Sequence, residues 1–376
     1  MNKISRNISA FLSIVQAGLW EKSLLLESLN KDCFTEVYRI AEEQSVIGLV
    51  AAGLENVKEH NVPQECVLQI IGQALQLEKR NSAMNDFIGV IIDRMRSDGI
   101  YALLIKGQGV AQCYTRPLWR SAGDVDFLLS KENYQRATLL LKQMATSLEE
   151  ENPYTQHLAL SIANWEVELH GTMRTGLWKR FDKVLDNVQN DIFYCGNVRS
   201  WMNGNIQVFL PRADEDVVYV FAHILQHFYK EGVGLRQICD WVRLLWTFKD
   251  SIDVKLLERR ISGMGAMTEW KVFACLAVQY LGMPVDAIPF YDSAPKWQNK
   301  ADKLLSYILS TGNFGHKRDQ SFRQSNSVFE RKAKMFWHIT KDSAKQFAIF
   351  PLDSIKMWLI MLKTGLRVLL SGKANE

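Results

Sequence analysis

The chain has 376 residues, of which 47% are hydrophobic and 23% are charged. This composition is typical of a soluble folded protein and excludes a largely disordered chain. A single core rarely grows beyond about 250–300 residues, so we expect two lobes. The formal net charge of +4 is too small to predict nucleic-acid binding, although it is compatible with a phosphate-rich substrate.

Neither export nor membrane insertion is indicated by the sequence. The first twenty residues lack the sustained apolar core and small-residue cleavage site of a signal peptide. No run of about 18 uncharged apolar residues occurs, so we expect no transmembrane helix. The cysteines are scattered without a CxxC pair, which predicts reduced thiols in a cytoplasmic protein. They are Cys33, Cys66, Cys113, Cys195, Cys239 and Cys275.

Residues 8 to about 98 are predicted to be helical almost throughout. An apolar stripe with helical spacing precedes Pro63, which interrupts the pattern. A long helix is then predicted from about 65 to 98. Gly99 supplies the stop signal at its end.

In the middle third, short apolar runs replace the long helical pattern. The run at 165–170 alternates polar and apolar residues most regularly, which is typical of a strand with one buried face. Strands are predicted at 101–105, 125–129, 157–162, 165–170 and 206–210, with a helix at 131–146 between them.

Helical patterns return after the last predicted strand. The predicted segments are 213–230, 234–249, 253–263, 267–281, 296–310, 322–345 and 351–371. The predicted fold class is therefore α+β and predominantly helical, with a small mixed sheet flanked by helical lobes. We divide the chain into an N-terminal helical region (1–98), an α/β core (99–212) and a C-terminal helical region (213–376).

Two aspartates, Asp124 and Asp126, lie at the start of a predicted strand, in Ser121-Ala-Gly-Asp-Val-Asp-Phe-Leu-Leu129. Residues i and i+2 of a strand point to the same side, so both carboxylates share a face while Val125 faces the core. Uncompensated burial of two adjacent carboxylates is unfavourable. Mg²⁺ prefers carboxylate oxygens together with substrate phosphates. The pattern predicts a Mg²⁺ site, against the alternative of a solvated strand edge.

A glycine-containing turn follows the first predicted strand. Lys106 and Gly107 form it, and backbone N–H groups at such a turn can bind phosphate. Arg116 and Arg120 follow in a loop directly before the aspartates, and guanidinium groups suit phosphate oxygens. The alternatives are an ordinary loop with a surface lysine, and arginines that only balance the charge of the aspartates.

A third carboxylate is predicted on a neighbouring strand. Glu166, Glu168 and His170 share one face of the strand at 165–170. A carboxylate in this position completes a metal site and serves as a base for an acceptor hydroxyl. We choose Glu168, because core-facing apolar residues flank it, and keep Glu166 as the alternative. A polar outer face of an edge strand is the non-functional interpretation.

Together these motifs resemble the bacterial uncharacterised nucleotidyltransferase family, part of the DNA polymerase beta-like nucleotidyltransferase superfamily. The resemblance covers about residues 35 to 285 and is sharpest between 103 and 170. It rests on Lys106-Gly107, Tyr114, Pro117, Arg120, the Gly-Asp-Val-Asp-Phe-Leu-Leu run and Glu168-Leu-His170, and continues into His223, His227, Leu235-Arg236, Asp240 and Leu281-Gly-Met-Pro284.

The resemblance implies a polymerase beta-like core, a reaction and a set of site residues. Asp124 and Asp126 are the implied pair for Mg²⁺ or Mn²⁺, and Glu168 is the implied third carboxylate. The implied reaction is in-line attack of an acceptor oxygen on the α-phosphorus of an NTP, with pyrophosphate leaving. The Lys106-Gly107 turn stands where the superfamily has a Gly-Ser turn that binds the triphosphate. This chain lacks the serine, and its spacing to Asp124 is longer.

The resemblance also implies a substrate cleft lined by His170, His227, Arg236 and Asp240. The spacing of Arg236 and Asp240 also fits an ordinary i,i+4 ion pair on a helix, which is the alternative to a role in the cleft. His223 and His227 have the spacing of zinc ligands, but the glutamate of the HExxH motif is absent, which favours buried or cleft-lining histidines.

Three functional hypotheses follow. The preferred one is a Mg²⁺-dependent nucleotidyltransferase that acts on an NTP and an unknown small-molecule or macromolecular acceptor. The second is a catalytically inactive module that binds a nucleotide or a partner, motivated by the altered Lys-Gly turn. The third is a peripheral membrane helper in cell-envelope polysaccharide synthesis, suggested only by the apolar segment 354–370 with Lys356, Lys363 and Arg367. A C-terminal helix docked on the helical lobe is the simpler explanation of that segment.

Overall fold

The structure, a computed structural model, describes residues 5–26, 29–58, 62–313 and 340–370. Within these ranges helices predominate and seven strands form one mixed sheet, which confirms the predicted α+β class. The helix predicted at 322–345 lies mostly outside the described residues.

Four helices precede the sheet, and local capping explains where two of them start. The side chain of Ser5 accepts a hydrogen bond from the backbone N–H of Ile8 at 3.3 Å, and that of Asn30 accepts from Cys33 at 2.8 Å. Gly99, with φ of 65°, ends the fourth helix as predicted. The helices are α1 (Arg6–Trp20), α2 (Lys31–Glu43), α3 (Ile47–Glu55) and α4 (Gln64–Ser97).

The sheet has the strand order β3-β4-β5-β2-β1-β7-β6. Its strands are β1 (Ala102–Ile105), β2 (Asp124–Leu129), β3 (Ser147–Leu148), β4 (His157–Ile162), β5 (Trp165–His170), β6 (Val198–Asn203) and β7 (Ile206–Pro211). β2 runs antiparallel to β1 and parallel to β5, while β4 runs antiparallel to β5. The short helix α5 (Gly107–Ala111) follows β1, and α6 (Lys131–Lys142) follows β2.

The two faces of the central strands belong to different cores. Val125, Phe127, Val167 and Leu169 are fully or almost fully buried and share a core with apolar side chains of α4 and α6. The alternate residue Leu128 belongs instead to the larger core of the helical regions. The strand alternation therefore directs Asp124, Asp126 and Glu168 towards the helices that follow the sheet.

A helix that the sequence patterns did not predict, α7 (Lys179–Cys195), lies between β5 and β6. Its buried residues Phe181, Leu185, Val188 and Ile192 have helical spacing, but polar residues dominate the rest of the segment. The later helices are α8 (Ala213–Lys230), α9 (Leu235–Thr247), α10 (Val254–Met264), α11 (Met267–Leu281), α12 (Pro295–Thr311) and the C-terminal helix (Pro351–Leu370).

One apolar core joins the N-terminal and C-terminal helical regions. It contains Phe11 of α1, Trp270 of α11 and Met357 of the C-terminal helix. Gln16 of α1 adds a hydrogen bond from its side-chain amide to the carbonyl of Tyr280, at 3.1 Å. In the part of the chain that the structure describes, no helix combines the length and apolarity needed to cross a membrane.

The buried carboxyl group of Glu269 in α11, beside Asp353 of the C-terminal helix, predicts a pH-dependent stability. Burial, to which the charge of the neighbouring Asp353 adds, raises the pKa of Glu269 from its ordinary 4.5 to about 7. A raised carboxyl pKa means that the folded chain holds a proton that the unfolded chain has lost, so stability falls as pH rises from about 4.5 to about 7.

We expect Glu269→Gln to remove this dependence. At pH 8 the variant should exceed the wild type by about 3 kcal/mol in free energy of unfolding, whereas near pH 4 the two should be similar. Urea unfolding of both proteins at several pH values measures the difference. A constant difference across this range would contradict the assignment to Glu269.

Candidate active site

Three carboxylates from two adjacent parallel strands meet on one face of the sheet. Asp126 of β2 lies opposite Glu168 of β5 in the strand register, and Asp124 lies opposite Glu166. One oxygen each from Asp124, Asp126 and Glu168 can be chosen so that all three lie within 4.8 Å of one another. The predicted set of carboxylates is therefore brought together.

Lys106 lies at the end of β1 in a backbone conformation that few non-glycine residues adopt. Its φ of 55° and ψ of −143° lie outside the common regions, which costs on the order of 1–3 kcal/mol and is often found at functional sites. The turn directs its ammonium to Asp126, with 2.6 Å between Nζ and Oδ1. Burial opposes the charge of Lys106, but Asp126 outweighs it and raises the lysine pKa.

Two histidines approach the carboxylates from β4 and β5. His157 and His170 lie directly opposite each other in the antiparallel register. His170 Nε2 lies 2.9 Å from Asp126 Oδ1 and 3.3 Å from Glu168 Oε2. His157 Nε2 lies 3.1 Å from the same Glu168 oxygen. Burial alone lowers the pKa of His170, but its contacts with Asp126 and Glu168 leave that pKa raised.

The two central carboxylates differ in how easily they ionise. Burial raises the pKa of Asp126, and the charges of Asp124 and Glu168 add to the effect against the opposing Lys106. Burial also disfavours ionised Glu168, but hydrogen bonds from His157 and His170 hold the pKa of Glu168 below its ordinary value. Asp126 is thus the carboxylate whose charge most needs a further cation.

Helix α8 supplies the opposite wall of the site. His223 Nε2 lies 2.7 Å from His227 Nε2, so one ring donates a hydrogen bond and the other accepts. His227 Nδ1 lies 3.0 Å from Glu231 Oε2. Burial, followed by the charge of Lys106, lowers the pKa of His223 well below its ordinary value, so this imidazole is neutral near pH 7.

A buried ion pair anchors the loop that precedes the aspartates. Arg120 donates to both oxygens of Asp240 in α9, at 3.0 Å from Nε and 2.6 Å from Nη2. Tyr114 donates its hydroxyl to the same carboxylate at 2.8 Å. Arg236 donates to the backbone carbonyl of Ser121 at 2.9 Å. Asp240 thus binds Arg120. This contact is enough to explain the conformation of the Asp240 side chain, whatever its i,i+4 spacing from Arg236.

These groups line a cavity of about 420 Å³. Of the predicted site residues, it brings together Lys106, Gly107, Arg120, Asp124, Asp126, Glu168, His170, His227, Arg236 and Asp240.

Arg116 and Glu166 do not belong to the lining of this cavity. Arg116 pairs with Glu55 of α3 and lies over the ring of Trp119, 4.2 Å from its centroid. Glu166, the alternative third carboxylate, accepts a hydrogen bond from Ser161 at 2.7 Å.

The carboxylate set fits a divalent cation. The three side chains offer hard oxygen donors close together. Their three negative charges exceed the one positive charge of Lys106, the lysine that contacts Asp126. The cavity in front of them leaves room for additional ligands from a substrate. The residues present can therefore hold a divalent cation.

The lining residues that were not singled out from the sequence include His157, Tyr219, Lys230 and Glu231. The strand containing His157 was predicted, but its register with β5 was not, and only the register places this ring beside His170. Tyr219 lies one helical turn before His223 in α8 and therefore shares a helix face with His223 and His227. The spacing of the two histidines was the signal in the sequence that could have identified Tyr219.

The sequence model of a family described as "Uncharacterised nucleotidyltransferase" matches residues 31–282, which is more than half of the chain. The match includes β1, β2, β4, β5 and α8, which carry the lysine, the carboxylates and the histidines. No curated protein and no solved structure matches the chain.

Proposed function

The chain belongs to the uncharacterised nucleotidyltransferase family, and we propose that it transfers a nucleoside monophosphate from an NTP to an acceptor hydroxyl, with release of pyrophosphate. We further propose that the sheet is a polymerase beta-like core and that the reaction uses Mg²⁺ or Mn²⁺. The convergence of Asp124, Asp126 and Glu168 in a cavity that is also lined by lysine and arginine side chains is the observation that supports this proposal most directly.

In this proposal, the three carboxylates hold the cation, which would neutralise triphosphate charge and stabilise the leaving pyrophosphate. Lys106 and Arg120 supply positive charge on the β1 side of the cavity, where the triphosphate binds. Both side chains are fixed by ion pairs with carboxylates. Fixed charges of this kind need little reorganisation during phosphoryl transfer.

The acceptor is proposed to enter beside β4, β5 and the end of α8. Glu168 is the proposed base, because its pKa below the ordinary range keeps it ionised and able to accept a proton. Lys230 donates to the carbonyl of Thr175 at 2.6 Å, and burial lowers its pKa. Thr155 and Asn152 add neutral polar groups to this end of the cavity. These groups suit a polar acceptor.

Binding of NTP is therefore expected to depend on a divalent cation. Isothermal titration of each of the four NTPs, with Mg²⁺ or Mn²⁺ and again with excess chelator, should show at least about a tenfold loss of affinity without the ion. Pyrophosphate release with sugars, antibiotics, peptides and tRNA as acceptors then tests transfer. Equal NTP affinity with and without the ion would overturn the proposed metal site.

A non-catalytic nucleotide-binding role is the second candidate, and the Lys106–Asp126 contact favours it. The ammonium occupies one side of the carboxylate oxygen that a catalytic cation would use. Metal-dependent NTP binding without pyrophosphate release from any acceptor would support this candidate over the transferase.

We propose that the protein acts in the cytoplasm. All six cysteines are free, including the buried Cys66, Cys113, Cys239 and Cys275. Free thiols fit a reducing compartment. Separation of cells into cytoplasmic, membrane and exported fractions tests the location.

A further inference from the structure

The histidines beside the carboxylates form a second group of potential metal ligands. His157 Nε2, His170 Nε2 and one oxygen of Glu168 lie within 4.8 Å of one another. This group differs from the carboxylate set by its two nitrogen donors, and the two groups share only Glu168.

The distances within the group match those between the ligands of one ion. Ligand atoms about 2.1 Å from a metal ion lie about 3.0 Å apart at a right angle and about 3.4 Å apart at a tetrahedral angle. The Glu168 Oε2 atom lies 3.1 Å from His157 Nε2 and 3.3 Å from His170 Nε2. Both separations fall between these two geometries.

Hydrogen bonding alone does not fully satisfy the His170 nitrogen and the carboxylate oxygens that face it. Nε2 of an imidazole carries at most one proton, and an ionised carboxylate only accepts. His170 Nε2 nevertheless faces two acceptors, Asp126 Oδ1 at 2.9 Å and Glu168 Oε2 at 3.3 Å. One proton must be shared between them, whereas a cation can bond at once to the His170 nitrogen and to the Glu168 oxygen.

The fold holds the nitrogen donors in place. His157 and His170 are opposite residues of β4 and β5, and Glu168 lies two residues before His170 on the same strand face. The ring centroids of the two histidines are 4.9 Å apart. Side chains on paired strands form a more rigid site than side chains on a loop.

We propose that His157, His170 and Glu168 bind a first-row transition ion such as Zn²⁺ or Co²⁺, in preference to Mg²⁺ and without a nucleotide. Imidazole nitrogen favours these ions, whereas Mg²⁺ favours oxygen. This binding goes beyond the proposed function and does not depend on it, because it requires neither NTP nor turnover. If the carboxylate set also holds its cation, Glu168 would supply ligand atoms to both ions.

Titration of the full chain with Co²⁺ tests the proposal, after chelator treatment and without nucleotide. We expect one equivalent of Co²⁺ to produce visible absorption bands with nitrogen ligation, Zn²⁺ to displace it, and a large excess of Mg²⁺ to leave it in place. His157→Gln should lower the Co²⁺ affinity by at least about 100-fold, because it removes a direct ligand. His157 is one-third exposed, so this variant is expected to fold.

Two further variants make the result specific. His223→Gln changes a histidine of the same cavity outside the ligand group and should bind Co²⁺ like the wild type. Asp124→Asn should retain Co²⁺ but lose metal-dependent NTP binding, because Asp124 belongs to the carboxylate set and not to the group that contains the histidines. Absence of a Co²⁺ spectrum, or equal Co²⁺ affinity in wild type and His157→Gln, would overturn the proposal. Loss of NTP binding in every protein would instead contradict the proposed function.

Discussion

Asp126→Asn is expected to abolish metal-dependent nucleotidyl transfer, with a loss of at least about 100-fold in rate. Changing groups that merely contact a metal ligand already costs about 10–100-fold, and Asp126 is itself a proposed ligand. Its carboxylate is 2% exposed and contacts both Lys106 and His170. An amide cannot supply the negative charge that holds the cation and these two groups. Pyrophosphate release and NTP affinity, measured at saturating Mg²⁺, give the effect.

Glu166→Gln is the matched control for this experiment. Glu166 points to the same strand face as Glu168, but its side chain is exposed and lies outside the cavity lining. The same change of carboxylate to amide should therefore leave the rate unchanged. Equal activity in wild type and Asp126→Asn would remove Asp126 from the mechanism.

Asp126→Asn also leaves the buried Lys106 without its carboxylate, so folding must be checked separately. Asp124→Asn removes the other aspartate of the pair, for which no ion pair is seen among the described residues. If thermal unfolding shows Asp126→Asn to be unstable, Asp124→Asn still tests the carboxylate pair. Loss of activity in a variant with wild-type stability assigns the effect to the site.

The sequence predicted the parts of the site that depend on local geometry. Alternation along a strand placed Asp124 and Asp126 on one face, and the same rule placed Glu168 and His170 together on another strand. The structure also contains the strand predicted at 157–162 and, within the ranges 213–313 and 340–370, helices close to those predicted there.

The contacts that the sequence did not predict depend on strand register and on long-range packing. His157 becomes a neighbour of His170 only through the pairing of β4 with β5, which a single sequence does not specify. Arg116 and Arg120 are four residues apart in one loop, yet Arg120 turns inward to Asp240 and Arg116 turns outward to Glu55. Loop conformation decides between these directions, and residue type does not.

Helix α7 illustrates a different limit. Its apolar stripe is narrow, and polar or charged side chains occupy most of its length, so its pattern was not recognised. Packing stabilises it: buried Phe181 and Leu185 enter the large core. Tertiary contacts commonly outweigh weak local preference in such helices.

Asp240→Ala is expected to give the largest loss of stability, about 3–5 kcal/mol. The substitution leaves the guanidinium of Arg120 buried without its counter-charge, which is much more costly than losing an exposed ion pair. Both partners have side chains that are 6% exposed. The hydroxyl of Tyr114 also loses its acceptor. Urea unfolding of the wild type and the variant measures the change in the free energy of unfolding.

Asp186→Ala provides a control with the same bidentate geometry in a more exposed setting. Arg174 contacts both oxygens of Asp186 at 2.8 and 2.9 Å, and about one-third of each side chain is exposed. Solvent screening should limit the cost of that variant to about 0–1 kcal/mol. Equal losses for Asp240→Ala and Asp186→Ala would contradict the argument from burial.

The double variant Arg120→Met/Asp240→Leu separates stability from function. Apolar side chains of similar size remove both buried charges together, so much of the stability should return. NTP binding should not return, because Arg120 lines the cavity and carries the positive charge proposed for the triphosphate. Recovery of both stability and NTP affinity would show that the Arg120–Asp240 pair only holds the loop in place.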